Sequence, residues 1–291
     1  MNYLVDIPMC AYNHEAYIAT AIDGVVSQKA NFKFRLIIGE DFSSDNTRAI
    51  VMRYAAEYPD IIFPIFNGRN LGAFENSRNL FSSCTAKYIA LCDGDDYWTD
   101  PFKLQKQVDF LEANSDFSLT FHNTRDLSPF GEKLKYDYSL KKEFEFSDFV
   151  NFFYARTVSM VYRRQPAPLH ELFPKIPLAD WALGLIILQS GKAYYFNEVM
   201  GAYRIHATGA WGGASANKKT VDAFKTFYLL KRILSNDYKR VIENKLFDLS
   251  FSYVRVSLFQ KDFFGLCVGI FYFLKSPTRL KIAKVKSLLK R

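Results

Sequence analysis

An α/β fold, with a mostly parallel central sheet flanked by helices and a helical C-terminal appendage, is predicted by three features of this 291-residue sequence. Apolar runs alternate with stretches of helical periodicity along the first half of the chain, the order expected of parallel strands joined by crossover helices. Hydrophobic residues make up 49% of the sequence, enough to build a large core. From residue 215 the chain reads as helical and ends in a basic, hydrophobic tail.

The strands read as Tyr3 to Met9, Phe34 to Glu40, Ile61 to Phe66 and Tyr88 to Cys92. Between them, Glu15 to Ser27, Asn46 to Tyr58 and Ala73 to Ser83 carry apolar residues at helical spacing, with Asp45 placed as the N-cap of the second helix. Ligands of such a sheet bind in the crevice beyond the carboxyl ends of the strands. The candidates are therefore the polar segments that follow each strand: Cys10-Ala11-Tyr12-Asn13, Glu40 to Thr47, Asn67 to Gly72, and Asp93-Gly94-Asp95-Asp96. None of them is a glycine-rich phosphate loop, which argues against a dinucleotide dehydrogenase or an NTPase.

The last of these segments is the most informative. A buried strand runs directly into three carboxylates within four positions, and like charges so close resist desolvation unless water, hydrogen bonds or a cation compensates. A hard divalent ion, Mg²⁺ or Mn²⁺, suits carboxylate oxygens and keeps positions for water and substrate phosphates. The alternative is an acidic turn in which Asp96 or Asp100 caps the helix starting near Pro101-Phe102-Lys103.

The formal charge of +8 is unevenly placed. From Lys261 to Arg291 there are eight basic residues against Asp262 alone, a net +7, which leaves +1 for the rest of the chain. That excludes a global basic surface for nucleic acid and isolates a basic tail. The tail contains the apolar run Phe263 to Leu274, shorter than the roughly 20 residues that cross a bilayer, and then a narrow stripe of Ile282, Val285 and Leu289 among lysines. Either the 261–291 segment lies on an anionic membrane surface, or its apolar run packs on the main domain. Cys10, Cys84, Cys92 and Cys267 show no metal-type pairing and read as buried free thiols of a reducing compartment. The N-terminus lacks the pattern of a secretory signal, so the expected location is cytoplasmic, peripheral at the inner face of the cell membrane if the tail binds there.

At this point the chain resembles the family-two glycosyltransferases of the GT-A fold, which are metal-dependent inverting enzymes. The resemblance rests on Val5 to Asn13, on Ser27-Gln28, on Ile37 to Thr47, on Asn70-Leu71-Gly72 with Arg78-Asn79, and on Asp93-Gly94-Asp95-Asp96, in that order. It implies a GT-A nucleotide-sugar transferase fold with a catalytic domain at 1–214, divided into a nucleotide-binding half (1–100) and an acceptor-binding half (101–214), followed by a helical region at 215–291. It further implies that Cys10 and Tyr12 lie against the donor, that Asp41 contacts the nucleotide base and that Arg78 approaches the nucleotide. Asp93 would touch the ribose or metal, and Asp95 would ligate the metal through the diphosphate. One departure is that the family has two aspartates where this chain has Glu40-Asp41, which puts a direct role for Glu40 in doubt.

Two clusters stand out in the second half. In Pro177-Leu178-Ala179-Asp180-Trp181, Asp180 reads either as the first-turn acid of a helix or, by the resemblance, as the catalytic base, with Trp181 beside the donor. Here Ala179 stands where relatives carry another acid. In Tyr203-Arg204-Ile205-His206, His206 resembles the residue that supplies a metal ligand or diphosphate contact, and Gly209, Gly212 and Gly213 would let the following loop close. His14, His122 and His170 read as ordinary surface or packing residues. The aromatic segment Phe144 to Tyr154 lines the acceptor side or forms a buried helix face. The implied activity is a single displacement from a nucleotide-diphosphate sugar, UDP-linked by preference, to a saccharide or lipid-linked saccharide, with Mn²⁺ or Mg²⁺ and an Asp base, in surface-polysaccharide or glycolipid synthesis. The different-class alternative is an inactive transferase-like scaffold at the membrane.

Overall fold

A computed structural model describes residues 3–137, 139–165, 176–206, 215–259 and 263–275. Its first half runs β1 (Val5–Ala11), α1 (Ile18–Val26), β2 (Phe34–Glu40), α2 (Thr47–Glu57), β3 (Ile62–Phe66), α3 (Ala73–Ser82) and β4 (Tyr88–Ala90). These are the strands and helices expected from the apolar runs, with ends shifted by up to about three residues. The chain continues through β5 (Tyr97–Trp98), α4 (Lys103–Ala113), β6 (Phe117–Ser128), β7 (Gly131–Leu134), β8 (Glu143–Phe144), α5 (Phe146–Asn151), β9 (Val161–Arg163), α6 (Ala179–Ile187) and β10 (Lys192–Arg204). It ends in α7 (Ala216–Ile233), α8 (Asn236–Phe259) and α9 (Phe263–Lys275).

Among the described residues, all ten strands belong to one sheet, ordered β3-β2-β1-β4-β9-β6-β10-β5, with β7 added to β6 and β8 to β10. The β3-β2-β1-β4 half is parallel throughout. Beyond β4 the sheet is mixed: β9 is antiparallel to both β4 and β6, and β6 is parallel to β10. The expectation of a mostly parallel sheet therefore holds for the N-terminal half. The remainder carries a hairpin (β6–β7) and short strands, which antiparallel pairing accommodates without crossover helices. Strand β1 is buried along nearly its whole length, as a central parallel strand must be.

Helix α1 buries Ile18, Ala21, Ile22 and Val25 against Val5, Ile7, Met9, Leu36 and Ile38, so its apolar stripe meets the sheet at helical spacing. Each such fully buried Val or Ile side chain contributes about 1.5–3 kcal/mol. Gly24 permits the close approach, because a Cβ there would lie 2.8 Å from the Trp98 carbonyl oxygen. At the opposite end of β1, fully buried Asp6 accepts hydrogen bonds from Arg35 Nε (2.6 Å) and from the backbone N–H groups of Thr85 (2.6 Å) and Ala86 (2.8 Å). Lys103 in the first turn of α4 is also fully buried. Its Nζ lies 4.3 Å from the Trp98 ring centroid with no hydrogen-bond partner, and burial pulls its pKa down to about 7.

The chain divides into two compact units, one drawn from Met1–Phe146, Tyr154–Lys175 and Ser190–Gly209, the other from Ser147–Phe153, Ile176–Gln189 and Ala210–Arg291. The first contains the sheet. The expected boundary at 214/215 is thus displaced, since Ser147–Phe153 and Ile176–Gln189 group with the C-terminal helices. The reason is packing within the second unit: helix α6 is apolar on most sides, the Leu178 N–H donates to Thr226 Oγ1 (3.1 Å), and the Trp181 ring meets Phe227 edge-on at 5.3 Å. Phe149 and Val150 of α5 are buried, while Phe152 just beyond it is exposed. Gly209, Gly212, Gly213, His170, Ile282, Val285 and Leu289 lie outside the described residues.

Candidate active site

In the first unit, the loops at the carboxyl ends of β1 and β2 are laced together. Asn13 N–H donates to Ser43 Oγ (3.0 Å), His14 N–H to Thr47 Oγ1 (2.7 Å) and Glu15 N–H to Asp45 Oδ2 (3.0 Å), while Asn13 Oδ1 accepts from Ser44 N–H (2.9 Å) and Glu15 Oε2 from Asn46 N–H (2.9 Å). Asp45, expected as the N-cap of α2, lies one residue before the N-cap position, which Asn46 fills, and accepts from Thr47 N–H (2.9 Å) in a turn that leads into the helix. Burial would raise its pKa, but the Thr47 and Glu15 hydrogen bonds outweigh that and leave it below the ordinary carboxylate range.

Glu40 and Asp41 take different roles. Glu40 is fully buried, accepts Ser43 N–H through Oε1 (2.7 Å) and pairs with Arg48, so it shapes the loop and presents nothing to a ligand. The Asp41 carboxylate is 2% exposed and accepts from Asn67 Nδ2 (2.9 Å), Leu71 N–H (2.8 Å) and Gly72 N–H (2.8 Å). Three of its roughly four acceptor positions are filled, and it anchors the Asn67 to Gly72 loop. The residue between the two loops, Phe42, is half exposed at φ 58°, as Asn13 is at φ 53°. A bulky side chain in the left-handed region carries strain.

The acidic turn docks on the end of β1. Gly94 N–H donates to the Cys10 carbonyl (3.0 Å), and a Cβ at Gly94 would fall 2.8 Å from His14 Nδ1, 2.9 Å from the Cys10 carbonyl oxygen and 2.9 Å from Ile18 Cδ1. Asp95 Oδ2 lies 3.0 Å from His206 Nε2, both side chains about a fifth exposed. Arg204 fixes the backbone beneath them. Its Nη1 donates to the Asp95 carbonyl (2.6 Å), its N–H donates to Asp96 Oδ1 (2.8 Å), and its guanidinium lies over the rings of Tyr97 (4.6 Å) and Tyr17 (5.0 Å). His206 in turn packs on Tyr17 at 5.5 Å. Buried Asp96 is held well above the carboxylate range by desolvation and by the Asp95 charge, only partly offset by the Arg204 N–H. Asp96 is thus a link to β10. Asp100, the alternative cap, accepts from Phe102 N–H (2.8 Å) just ahead of α4.

The Asp95–His206 pair fits a small divalent ion. The two groups are in hydrogen-bond contact at 3.0 Å, and carboxylate oxygen with imidazole nitrogen is a donor set that suits Mn²⁺. Among the described residues no group of three His, Cys, Asp or Glu is gathered tightly enough to hold a metal. The charge of Asp93, in the same turn, acts on Cys10, whose thiol is pushed up to about 12 by burial and then by Asp93. Cys10, 3.2 Å from Ser77 Oγ, is therefore a neutral group at the strand end.

Tyr12 presents an exposed ring. Arg78 is half exposed and ion-paired with Glu75 (2.6 Å) on α3. Of the four cysteines, Cys84 and Cys92 are buried, Cys10 partly so, and Cys267 is exposed, contrary to expectation, because it falls on the outer face of α9. His14 was expected to be ordinary, yet its buried Nδ1 has no hydrogen-bond partner and lies beneath the acidic turn. Desolvation lowers its pKa and His206 lowers it further, while Asp95 and, less strongly, Asp45 work against that. Arg204 is the other residue whose part the sequence did not disclose.

In the second unit, Asp180 stands in the first turn of α6, where its Oδ1 accepts from Trp181 N–H (2.8 Å). The Trp181 indole N–H donates to the Phe149 carbonyl (2.6 Å), and its ring stacks on Phe153 at 6.2 Å. The polar end of Trp181 is thereby committed to packing.

The family model for glycosyl transferase family 2 matches residues 6–167. An uncharacterized protein of Mycobacterium tuberculosis is 34% identical over 217 residues, covering 74% of this chain and 62% of that protein, so the chain spans less than two thirds of that relative. The Escherichia coli UDP-Glc:alpha-D-GlcNAc-diphosphoundecaprenol beta-1,3-glucosyltransferase WfaP is 28% identical over 218 residues, 74% of this chain and 81% of WfaP. Among solved structures, the mannosyltransferase PcManGT of Pyrobaculum calidifontis, in complex with GDP-Man and Mn²⁺, aligns with a TM-score of 0.60 at 14% identity, over 99% of this chain and 81% of its own. The fold is thus of the GT-A type.

Proposed function

Because the chain belongs to glycosyl transferase family 2, we propose that it moves a sugar from a nucleoside-diphosphate sugar to an acceptor hydroxyl, with inversion at the anomeric carbon. The observation that carries this reading is the Asp95–His206 pair, 3.0 Å apart and braced by Arg204 at the ligand-binding end of the sheet. Asp95 and His206 would hold Mn²⁺ or Mg²⁺, which when bound supplies positive charge to the leaving diphosphate. The exposed Tyr12 ring would lie against the base, with Asp41 reaching it through its remaining acceptor position. Cys10, Asp93 and Arg78 would line the ribose and phosphate side, and Trp181 would offer ring surface alone.

Asp180 is the proposed base. Its carboxylate takes the proton of the acceptor hydroxyl as that oxygen attacks the anomeric carbon, the bond to the diphosphate oxygen breaks with its electron pair, and no covalent enzyme intermediate forms. An α-linked donor then gives a β-linked product. UDP-sugar is the preferred donor, and a lipid-linked saccharide the preferred acceptor, since WfaP is named for such a substrate and this chain carries a basic, hydrophobic 261–291 segment suited to an anionic membrane surface. The place of action would be the cytoplasmic face of that membrane.

Donor-dependent release of nucleoside diphosphate tests the assignment. Asp180→Asn is expected to lower kcat about 10²–10⁴-fold while donor affinity stays near wild type. Turnover equal to wild type in that variant would remove Asp180 from the role of base.

A further inference from the structure

In the first unit, three polar side chains of α4 and β6 end in the core with an atom that nothing in the protein satisfies. Lys103 and Gln107 stand one turn apart on α4 and are fully buried, and His122 of β6 is 2% exposed. Lys103 Nζ, Gln107 Oε1 and His122 Nε2 have no hydrogen-bond partner among the described residues. An orphaned polar atom in the core is costly, and a charged one more so, which is why native proteins leave few of them.

The three groups gather around one ring. Lys103 Nζ stands 4.3 Å from the Trp98 ring centroid, and a Cβ at Gly201 would fall 3.7 Å from Trp98 Cδ1 and 3.3 Å from His122 Cε1, the ring carbon bonded to Nε2. Lys103 and His122 are close enough to interact, since burial lowers the His122 pKa and the Lys103 charge lowers it further. Gln107 joins them from α4. Its Nε2 donates to Thr120 Oγ1 and to the Ser159 carbonyl, both at 3.1 Å, and Thr120 precedes His122 by two residues on the same face of β6.

Their hydrogen-bonding characters are fixed by the partners they do have. The Asn123 carbonyl lies 2.7 Å from His122 Nδ1 and can only accept, so Nδ1 carries the proton and Nε2 is left as an acceptor. The Ser159 carbonyl likewise requires the amide nitrogen of Gln107, which leaves Oε1 as an acceptor. Lys103 supplies donors alone. A water molecule matches this set, accepting one Lys103 N–H and giving its two protons to Gln107 Oε1 and His122 Nε2, and about three bonds is what a buried water makes. An anion would suit Lys103 but face two acceptors. We propose that an ordered water bridges Lys103 Nζ, Gln107 Oε1 and His122 Nε2, tying the first turn of α4 to β6 beside Trp98. It satisfies the hydrogen bonds without removing the ammonium from the core, so the desolvation that draws the Lys103 pKa down persists.

A crystal structure of the full chain that resolves ordered solvent is expected to show one water within about 2.7–3.2 Å of all three atoms. In solution, oxygen-17 magnetic relaxation dispersion is expected to count one fewer long-lived water in the Lys103→Met, His122→Phe double variant than in wild type. By urea denaturation, His122→Phe is expected to raise the unfolding constant about tenfold in the wild-type background, because it takes a partner from the water on Lys103. In the Lys103→Met background, where the donor is already gone, the same change is expected to alter it by no more than about twofold. The proposal is overturned if the crystal shows Lys103 Nζ bonded directly to His122 or Gln107, or no water among the three atoms. It is equally overturned if the double variant keeps the wild-type count of long-lived waters, or if His122→Phe costs the same in both backgrounds. The crystal measurement holds whether or not the variants fold.

Discussion

At Gly94 a single added methyl group would meet three neighbours inside 3 Å, one of them the Cys10 backbone carbonyl, which cannot rotate aside. The acidic turn would have to lift from β1, moving Asp95 relative to His206. Gly94→Ala is therefore expected to weaken nucleotide binding at least tenfold while the protein still unfolds cooperatively, since a displaced active-site turn costs function before fold. Unchanged affinity would show that the docking of this turn does not position the site. Lys103 is a buried cost of a different kind. Its pKa falls from 10.5 to about 7 on folding, so at pH below about 7 the native state carries a desolvated ammonium and bears the full penalty, which fades as pH rises from about 7 towards 10.5. Lys103→Met is expected to stabilise the protein by a few kcal/mol at pH 6 and by progressively less above pH 7, read from urea midpoints across that range. A gain that does not vary with pH would refute the buried charge. His14 shows why some residues escaped the sequence. A lone histidine after a strand has no pattern to mark it, and only the chain's return at Gly94 makes it part of the site.

Among the elements, β1, β2 and β4 were legible because a central parallel strand is buried on both faces and is written in nearly continuous apolar residues, as Val5 to Met9, Asp6 apart, and Leu36 to Ile38 are. Strand β6 was not legible, for the opposite reason. Its Thr120, His122, Asn123, Thr124 and Asp126 are buried polar residues satisfied mainly from elsewhere in the fold: Thr120 accepts from Gln107 Nε2, Asn123 bonds Tyr136 and Asp126 pairs with Arg156. No local pattern announces a strand whose polar groups find their partners at a distance. Helix α6 was recognised, but its allegiance to the C-terminal helices was not, since that depends on contacts with α7. Asp6 is the firmest polar joint of the parallel half, tying β1 to Arg35 on β2 and to the segment leading into β4. Asp6→Ala would strand the Thr85 and Ala86 N–H groups and remove the partner of Arg35, and is expected to cost about 3–5 kcal/mol by urea denaturation with little change in m-value. A loss under about 1 kcal/mol would show that water replaces the carboxylate.

For the whole molecule, the sequence disclosed the fold class, the acidic turn and His206, and the comparisons bear out the family. It did not disclose that Asp41 holds the Asn67 to Gly72 loop, because side-chain direction is set by tertiary hydrogen bonds and not by spacing. The charge partition was legible as well, a nearly neutral body with a +7 terminal segment. The most direct measurement is calorimetric titration of the full chain with UDP, GDP, dTDP and CMP, each in Mn²⁺ and in EDTA, alongside Asp95→Ala. The account predicts that one nucleotide binds in Mn²⁺ and that binding is lost both in EDTA and in the variant. Binding that is indifferent to metal and to Asp95, or no binding of any nucleotide, would contradict it.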